Sequence, residues 1–450
     1  MHILSFSRSM GFLTKTFPLE FQDKIEGVKH LFPTKSYAIY LLLFFSSLVG
    51  LCIGYVFSVT TFSMSSIYQA VQLLCILLLF YSFTKLVKVN FAFSYYRMMG
   101  FLYLAWQVII LARGDYSDMD YMGVKQLIFD LNYGGLNFLI PLVLFFDVNM
   151  YTVKRIFDAV IVLAVTYLIC VVINSAVLFN GDLTNVISLG TAENYFKYLA
   201  LPIGILAFNF RLLNKKSQIL VLLVLLTIGL VAIFRARRGM LFIVSSITMY
   251  ASISYYLTSS RKVYLVLFSM YGLFALLLLG MITKGKEIEE ISFFENISER
   301  GLEDTRSNVE DCFRRDMSTY DWVFGKGYNG VYKCPGIDDS IFKKGIRKVI
   351  ETDYLQLIMN GGFVNVVLIF LIMVPAIILG LFYSKNNMTR AFAIWVMLWL
   401  IYLYPANVYS FSFYHITVWI SAAACYNRQL RNLTDSMLQI YFKGKLTLTD

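Results

Sequence analysis

Long apolar runs recur along almost the whole chain, and most of them are long enough to cross a bilayer as a helix. The hydrocarbon core of a bilayer needs about 20 consecutive apolar residues. A soluble protein has roughly a quarter of its residues charged, whereas this chain is 58% hydrophobic and 15% charged. The sequence therefore predicts an all-α polytopic membrane protein with about 12 transmembrane helices. The predicted spans are 37–57, 67–84, 91–112, 125–146, 157–179, 192–210, 218–234, 239–258, 263–283, 363–383, 390–404 and 408–426. The sixth is expected to be broken by Pro202, and the eleventh is short and ends at Pro405.

The lysine and arginine residues between these runs predict the orientation in the membrane. Such residues accumulate in cytoplasmic loops. They occupy alternate connections and both ends of the chain, whereas the opposite loops 58–66, 180–191 and 405–409 contain none. Both termini are therefore expected in the cytoplasm. The predicted organisation is a cytoplasmic segment 1–36, spans one to nine within 37–283, one large external loop domain 284–353, a re-entry helix with the last three spans in 354–426, and a cytoplasmic tail 427–450.

One short external connection breaks this pattern. The stretch AIFRARRGMLFIVSS, residues 232–246, contains Arg235, Arg237 and Arg238 and no acidic residue. Arginine stays charged and binds phosphate through two parallel hydrogen bonds. The cluster therefore predicts an anion site at the outer membrane surface. The alternative is that these side chains only extend to the interface to keep their charges hydrated.

The net charge of +11 alone would suit a nucleic-acid-binding protein. The basic residues, however, lie in short clusters between apolar runs, as in polytopic membrane proteins. The external segment 284–353 contains 12 basic and 15 acidic residues, so it offers no groove for a polyanion. No nucleic-acid partner is expected.

Two carboxylates end the external segment, in the stretch VIETDYLQLIMNGGFVNVVLIF. Glu351 and Asp353 precede an apolar helix at the predicted outer surface, where a carboxylate can act as a general base toward a hydroxyl group. The alternative is that they are acids stabilised by the dipole at a helix N-terminus. Cys312 and Cys334 share the same segment and are expected to form a disulfide, because that side of the membrane is oxidising.

Three short motifs within residues 190–383 resemble the O-antigen polymerase and O-antigen ligase superfamily. Arg238-Gly239 before an apolar helix is similar to the first motif, with Arg237 where a serine is common. The second motif is an arginine that starts a helix ending in a Gly-x-Gly turn, which Arg306 and Gly325-Lys326-Gly327 resemble.

The third motif distinguishes ligases from polymerases. In the ligases it reads His-Asn-x-Tyr-Leu followed by a glycine pair. This chain has Glu351 and Thr352 in place of His-Asn, followed by Tyr354, Leu355 and Gly361-Gly362. Polymerases often carry an acid at the first position, so the resemblance favours a polymerase.

The resemblance implies a bacterial inner-membrane enzyme with a GT-C-like fold and its active site on the outer, periplasmic face. Such an enzyme is an inverting glycosyltransferase that polymerises oligosaccharide repeats of O-antigen, capsule or a related polysaccharide. Its donor and acceptor are both linked to undecaprenyl diphosphate in the lipid bilayer, and a chain-length regulator is a further expected partner. No metal or other cofactor is expected, and His2, His30 and His415 are too scattered for a metal site.

Each candidate residue has an expected role in this reaction. Glu351, or in second place Asp353, would accept the proton of the attacking sugar hydroxyl. The diphosphate leaving group would be stabilised by arginines, for which the candidates are Arg238, Arg235, Arg306, Arg113 and Arg237.

Two alternative functions and one alternative residue role remain open from the sequence. The first alternative function is a ligase that transfers glycan to a lipid or protein acceptor. Another is a flippase for a lipid-linked glycan, which would line a central cavity with charge and would need no large external domain. The third concerns Glu193 and Lys197, four residues apart, which are expected to neutralise each other, although Lys197 could instead face the diphosphate.

Overall fold

The computed structural model describes residues 34–60, 66–87, 94–116, 120–179, 186–235, 237–258, 305–336 and 345–443. These residues are mostly helical, and six of their helices are long and apolar enough to cross a membrane. The protein is therefore an all-α membrane protein. Its helices are α1 (Lys35–Thr60), α2 (Ser66–Leu86), α3 (Tyr95–Ala112), α4 (Tyr121–Phe129), α5 (Met150–Ile173), α6 (Ser175–Leu178), α7 (Val186–Tyr195), α8 (Ile203–Phe208), α9 (Lys215–Phe234), α10 (Arg238–Thr258), α11 (Thr305–Asp316), α12 (Thr319–Phe324), α13 (Asp353–Phe382), α14 (Asn387–Tyr402), α15 (Phe413–Tyr426), α16 (Arg428–Asn432) and α17 (Asp435–Lys443).

The six long apolar helices are α1, α2, α3, α5, α9 and α13, and each overlaps a predicted span. Helices α10, α14 and α15 also lie on predicted spans but are not among these six. The predicted ninth span, 263–283, lies outside the described residues, as do the predicted N-terminal segment up to residue 33 and the end of the tail from residue 444.

The fourth predicted span, 125–146, is not one continuous α-helix. Helix α4 ends at Phe129, and the chain turns before a 3-10 helix at Gly135–Phe145. Asp130 ends α4, and its carboxylate accepts the backbone N–H of Asn132 at 2.8 Å. Short polar side chains that bind nearby backbone groups favour turns over helix. The break therefore places the polar residues Asp130 and Asn132 in the middle of a sequence that hydropathy alone predicts to be one span.

The sixth predicted span, 192–210, is also interrupted. Helix α7 continues into a π-helical turn at Phe196–Ala200, which closes with a 2.8 Å hydrogen bond from the N–H of Leu201 to the carbonyl of Phe196. Pro202 follows directly; proline has no N–H to donate, and its ring clashes with the preceding turn of an α-helix. The sequence predicted a break at Pro202, and the structure shows that it takes the form of a widened turn that contains Lys197.

The tenth predicted span begins earlier than expected. Helix α13 starts at Asp353 rather than at 363, and it is kinked at Gly362, which has φ of +67°. Its first ten residues include Gln356 and Asn360, which is why the predicted span began only at residue 363 and the residues from 354 were assigned to a separate re-entry helix. The predicted re-entry helix and the tenth span are therefore one kinked helix.

Helix α15 forms the centre of the bundle. Every residue from Phe413 to Cys425 is buried, as expected for a helix that is apolar on all sides. It packs against α13, α14 and the 3-10 helix. Residues 403–412, which connect α14 to α15, are therefore held at one end of the bundle core.

Residues 305–336 and 345–352 form a small unit, called here the polar domain. It contains α11, α12 and a two-stranded antiparallel sheet of β1 (Tyr332–Lys333) and β2 (Ile346–Arg347). The Cys312–Cys334 disulfide joins α11 to the segment after β1, which confirms the predicted pairing. Its buried core is continuous with the start of α13 and consists of Val309, Phe313, Met317, Tyr332, Cys334, Ile350, Ile358 and Met359.

Candidate functional site

The glycine turn of the polar domain is docked on the kink of α13. The backbone N–H of Lys326 donates to the carbonyl of Met359 at 2.6 Å, and that of Gly327 donates to the carbonyl of Asn360 at 3.0 Å. The kink at Gly362 interrupts the helical pattern and leaves carbonyls that need other donors. The second and third motifs of the sequence are therefore parts of one joint.

Glycine is required at this joint. A Cβ added at Gly362 would lie 2.0 Å from the carbonyl oxygen of Val323, in α12. The positive φ of Gly362 also favours glycine. On the other side of α13, the indole N–H of Trp106 donates to the carbonyl of Gly361 at 3.0 Å.

Arg113 fastens α12 to the end of α3. Its Nη1 and Nη2 donate to the carbonyls of Phe324 and Gly325, both at 2.7 Å, and its guanidinium lies 5.4 Å from the ring centre of Tyr320. These are the unpaired carbonyls that end a helix. Arg113 was predicted as a diphosphate ligand, but these contacts use its two terminal nitrogens to dock the polar domain.

Tyr328 adds a second connection between the polar domain and the bundle. Its N–H donates to the carbonyl of Ile110 at 3.0 Å, and its hydroxyl donates to the carbonyl of Tyr133 at 3.3 Å. Burial, followed by the nearby charge of Asp130, raises the pKa of Tyr328 to about 12. The phenol therefore stays protonated at neutral pH and remains a hydrogen-bond donor.

Three structural elements meet on residues 403–409, which is called here the 403–409 segment. The start of α10 packs against it, because a Cβ at Gly239 would lie 3.2 Å from the carbonyl oxygen of Pro405. The start of α13 is bound to it, since the N–H of Tyr354 donates to the carbonyl of Leu403 at 3.3 Å. The third element is the π-helical turn, whose Lys197 donates to Asn407 at 2.6 Å.

The two candidate carboxylates have different surroundings. Asp353 is only 1% exposed, and its Oδ2 accepts the backbone N–H groups of Val408 at 2.5 Å and Tyr409 at 2.7 Å. Glu351, two residues earlier, is exposed. The Oδ2 atom of Asp353 is thus already occupied by two backbone donors. The arrangement therefore gives Asp353 a role in holding the segment and leaves the exposed Glu351 as the better candidate base.

Thr352, between the two carboxylates, ties them to the polar domain. Its hydroxyl donates to the Glu310 carboxylate on α11 at 2.6 Å. Glu310 also pairs with Arg314 at 3.1 Å. Position 306 lies one helical turn before Glu310 and thus on the same face of α11. The side chain of Arg306, a predicted diphosphate ligand, lies outside the described part of the structure.

The three clustered arginines have different surroundings. Arg235 is fully buried at the end of α9, where its Nε donates to the carbonyl of Leu178 at 2.7 Å and its Nη2 to that of Val177. These carbonyls end α6, and binding them accounts for the burial of this charge without a substrate. Arg238 is exposed at the first position of α10. Of the three, Arg238 is thus the one whose position best matches its predicted role.

Arg237 forms an ion pair with Glu193 at 3.0 Å. The expectation that Glu193 and Lys197 neutralise each other is therefore wrong. The π-helical turn begins at Phe196 and places Lys197 among side chains from other elements. Residues four apart share one face of an α-helix, but in a widened turn they no longer do so.

Lys197 is 8% exposed and lies within a buried polar network. Its Nζ donates to Asn132 Oδ1 at 2.8 Å and to Asn407 Oδ1 at 2.6 Å. The hydroxyl of Tyr198 donates to the same oxygen of Asn132 at 2.8 Å. Both acceptors of the Lys197 ammonium are therefore neutral amides.

Only weak signals for this network are present in the sequence. Asn132 stands inside a predicted span and Asn407 in a short predicted loop, and buried polar residues in membrane segments are frequently functional. Their meeting with Lys197 depends on the breaks after Phe129 and before Pro202, which hydropathy does not predict. In the described ranges, no group of three or more His, Cys, Asp or Glu residues is arranged to hold a metal ion.

Arg238, Lys197 and Asp353 thus lie on three elements that each contact the 403–409 segment, and Glu351 lies two residues before Asp353. Arg113 and Arg235 instead bind the carbonyls at helix ends. In comparisons with protein-family models, curated proteins and solved structures, nothing matches this chain.

Proposed function

We propose that this protein is an inverting glycosyltransferase that polymerises oligosaccharide repeats linked to undecaprenyl diphosphate. The observation that carries the proposal is the convergence of α10, the π-helical turn and α13 on the 403–409 segment. These elements bring Arg238 and Lys197 together with the chain segment of Glu351. Transfer of a sugar from a diphosphate needs cations at the leaving group and a base at the acceptor.

In the proposed reaction, Arg238 binds the diphosphate of the donor lipid. Negative charge grows on this group as the glycosidic bond to it breaks, and a cation held in place stabilises the transition state more than the ground state. Arg306 is a second candidate ligand, since it begins the helix whose Glu310 binds Thr352. Arg237 is a further candidate next to Arg238, although its described ion pair is with Glu193.

Glu351 acts as the general base in this proposal. It accepts the proton of the sugar hydroxyl on the acceptor lipid while that oxygen attacks the anomeric carbon of the donor. One displacement inverts the anomeric carbon. The growing glycan is thereby moved onto the next repeat, and undecaprenyl diphosphate leaves.

The active site is proposed to face the periplasm of a bacterial inner membrane, with both termini in the cytoplasm. The absence of lysine and arginine from the 405–409 loop supports this orientation. The Cys312–Cys334 disulfide also supports it, since disulfides persist in oxidising compartments.

A reconstituted assay tests the reaction. The purified protein in liposomes receives one lipid-linked repeat, and the products are separated by size. A polymerase yields a ladder of repeats with release of undecaprenyl diphosphate. A ligase yields product only after a separate lipid or protein acceptor is added, and a flippase moves the lipid across the bilayer without changing it. Either of these results would contradict the proposal.

An arginine-to-lysine exchange tests the diphosphate ligand within the same assay. A lysine ammonium keeps the charge but cannot form the two parallel hydrogen bonds of a guanidinium. We therefore expect Arg238→Lys to lose most of the ladder. The matched control is Arg155→Lys on α5, where the arginine pairs with Asp158 at 3.6 Å. Arg155→Lys should retain the ladder.

A further inference from the structure

The buried Lys197 is held by acceptors that cannot neutralise it. Its two hydrogen-bond acceptors are the Oδ1 atoms of Asn132 and Asn407, at 2.8 and 2.6 Å. Asp353, Glu193 and Asp130 are near enough to attract its charge. In the described part of the chain, however, none of these carboxylates forms an ion pair with it. A buried charge without a close partner is costly to keep, so residues of this kind in membrane proteins are commonly functional.

Both amides are fixed so that their oxygens face the lysine. The Nδ2 of Asn132 donates to the hydroxyl of Tyr55 at 2.9 Å, and the Nδ2 of Asn407 donates to the hydroxyl of Tyr133 at 2.7 Å. An amide oxygen can only accept, so Lys197 must be the donor in both contacts. An ammonium group has three protons, and the two amides engage two of them.

The nearby carboxylates are already bound to other donors. Asp353 accepts two backbone N–H groups of the 403–409 segment, and Glu193 pairs with Arg237. Asp130 accepts the N–H of Asn132 at 2.8 Å and the hydroxyl of Tyr55 at 3.3 Å. The Lys197 ammonium therefore has two neutral acceptors, and it remains able to bind an added anion.

Lys197 is connected to the proposed diphosphate site from two directions. Its partner Asn407 lies in the same segment that Gly239, next to Arg238, packs against. Glu193, which precedes Lys197 in the same helical stretch, pairs with Arg237. One exposed cation, Arg238, and one buried cation, Lys197, thus lie on elements joined by a single segment.

We propose that Lys197 binds the second phosphate of the substrate and so makes the site select a lipid diphosphate over a lipid monophosphate. The inference rests on the proposed function and extends it to the specificity of the same site. In this proposal one phosphate of the diphosphate binds Arg238 and the other binds Lys197. A monophosphate has only one phosphate group and can engage one of them fully.

Binding measurements on the whole protein in detergent test this inference without requiring turnover. The probes are farnesyl diphosphate and farnesyl monophosphate, with affinities measured by calorimetry. We expect wild-type protein to bind the diphosphate about tenfold or more tightly than the monophosphate. This is the difference expected when the monophosphate lacks one charge-assisted hydrogen bond. Lys197→Met keeps an unbranched side chain of similar length without its charge or donors, and it should lose this preference. Lys85→Met, in the last turn of α2, is the matched control and should retain it.

A second variant covers the case in which Lys197→Met does not fold. Asn407→Asp keeps the size of the side chain and gives Lys197 a carboxylate partner, and the Tyr133 hydroxyl can rotate to donate to it. This internal ion pair competes with the ligand, so the affinity for farnesyl diphosphate should fall about tenfold while thermal stability is retained. Wild-type diphosphate preference in either folded variant would overturn the inference.

The source of the diphosphate is distinguished by competition. Inorganic diphosphate that displaces farnesyl diphosphate only weakly indicates a lipid ligand, whereas equal or stronger binding of inorganic diphosphate would overturn the lipid assignment. The two proposals also fail separately. A Lys197-dependent diphosphate preference in a protein that makes no polymer would reject the polymerase alone. Polymerisation with an unchanged preference in Lys197→Met would reject the role of Lys197 alone.

Discussion

The Asp353 carboxylate accepts the backbone N–H of Tyr409 at 2.7 Å, across 56 residues of sequence. The same oxygen accepts the N–H of Val408. The start of α13 and the 403–409 segment are therefore held together by one buried side chain. Its position identifies Asp353 as a residue that keeps the site assembled.

We expect Asp353→Asn to destabilise the protein by about 1.5–3 kcal/mol, as for the loss of a hydrogen bond to a charged group. Thermal unfolding in detergent measures this change, and the activity should fall with the fraction of folded protein. Asp311→Asn is the control, because its ion pair with Arg314 is largely exposed and such pairs contribute roughly 0.2–1 kcal/mol. A stable but inactive Asp353→Asn would instead make Asp353 the catalytic base.

Arg113 is expected to affect docking of the polar domain more than substrate binding. Arg113→Ala leaves the carbonyls of Phe324 and Gly325 without their described donor, which costs about 0.5–1.5 kcal/mol for each hydrogen bond lost. Limited proteolysis should then cut the polar domain faster than in wild type. Arg314→Ala, on the surface of the same domain, should be cut at the wild-type rate. A lower affinity for farnesyl diphosphate in Arg113→Ala, without faster proteolysis, would contradict this assignment.

Gly362→Ala should separate α12 from α13. The added methyl group would lie 2.0 Å from the carbonyl oxygen of Val323, and alanine is strained at φ of +67°. We expect a loss of thermal stability and of activity together. Gly336→Ala is the matched control: Gly336 has φ of +82° but nothing within 4 Å of an added Cβ. It reports the backbone strain alone, about 1–2 kcal/mol. Equal effects of the two variants would show that the contact with Val323 is unimportant.

The disulfide predicts four reactive thiols in unreduced, denatured protein. The four free cysteines are Cys52, Cys75, Cys170 and Cys425. A count of six would contradict the pairing of Cys312 with Cys334. Closing a loop of this length contributes about 3 kcal/mol in the chain-entropy description. The double variant Cys312→Ser/Cys334→Ser should therefore lose polar-domain stability, measured by limited proteolysis.

The apolar runs predicted most helices for two reasons. A helix needs about 20 apolar residues to cross the bilayer core, and a helix satisfies its own backbone hydrogen bonds there. The sequence predicted a re-entry helix from residue 354 and a separate span from 363, but not that both form the single helix α13, because the kink at Gly362 depends on its contact with α12. The widened turn at Phe196–Ala200 was also missed, although Pro202 correctly predicted a break. Such distortions depend on the hydrogen bonds available nearby, which hydropathy does not report.

The site was predictable only in part for a related reason. Sequence spacing identified Arg238 and Glu351 as candidates, and they lie on α10 and just before α13, which meet at the 403–409 segment. It could not distinguish Arg235 from Arg238, because burial of one and exposure of the other follow from packing against α6. The Lys197 network needs three distant segments to meet, and only the folded chain brings them together.

The role of Glu351 is the central claim, and Glu351→Gln tests it most directly. Glutamine keeps the shape and hydrogen-bonding capacity of this exposed side chain but is not basic, and a positioned general base contributes about 10²–10⁴-fold to the rate. In the reconstituted assay we expect the rate of polymer formation to fall at least about 100-fold. Thermal stability and the affinity for farnesyl diphosphate should remain those of wild type. Polymer formation by Glu351→Gln at the wild-type rate would contradict the proposed mechanism.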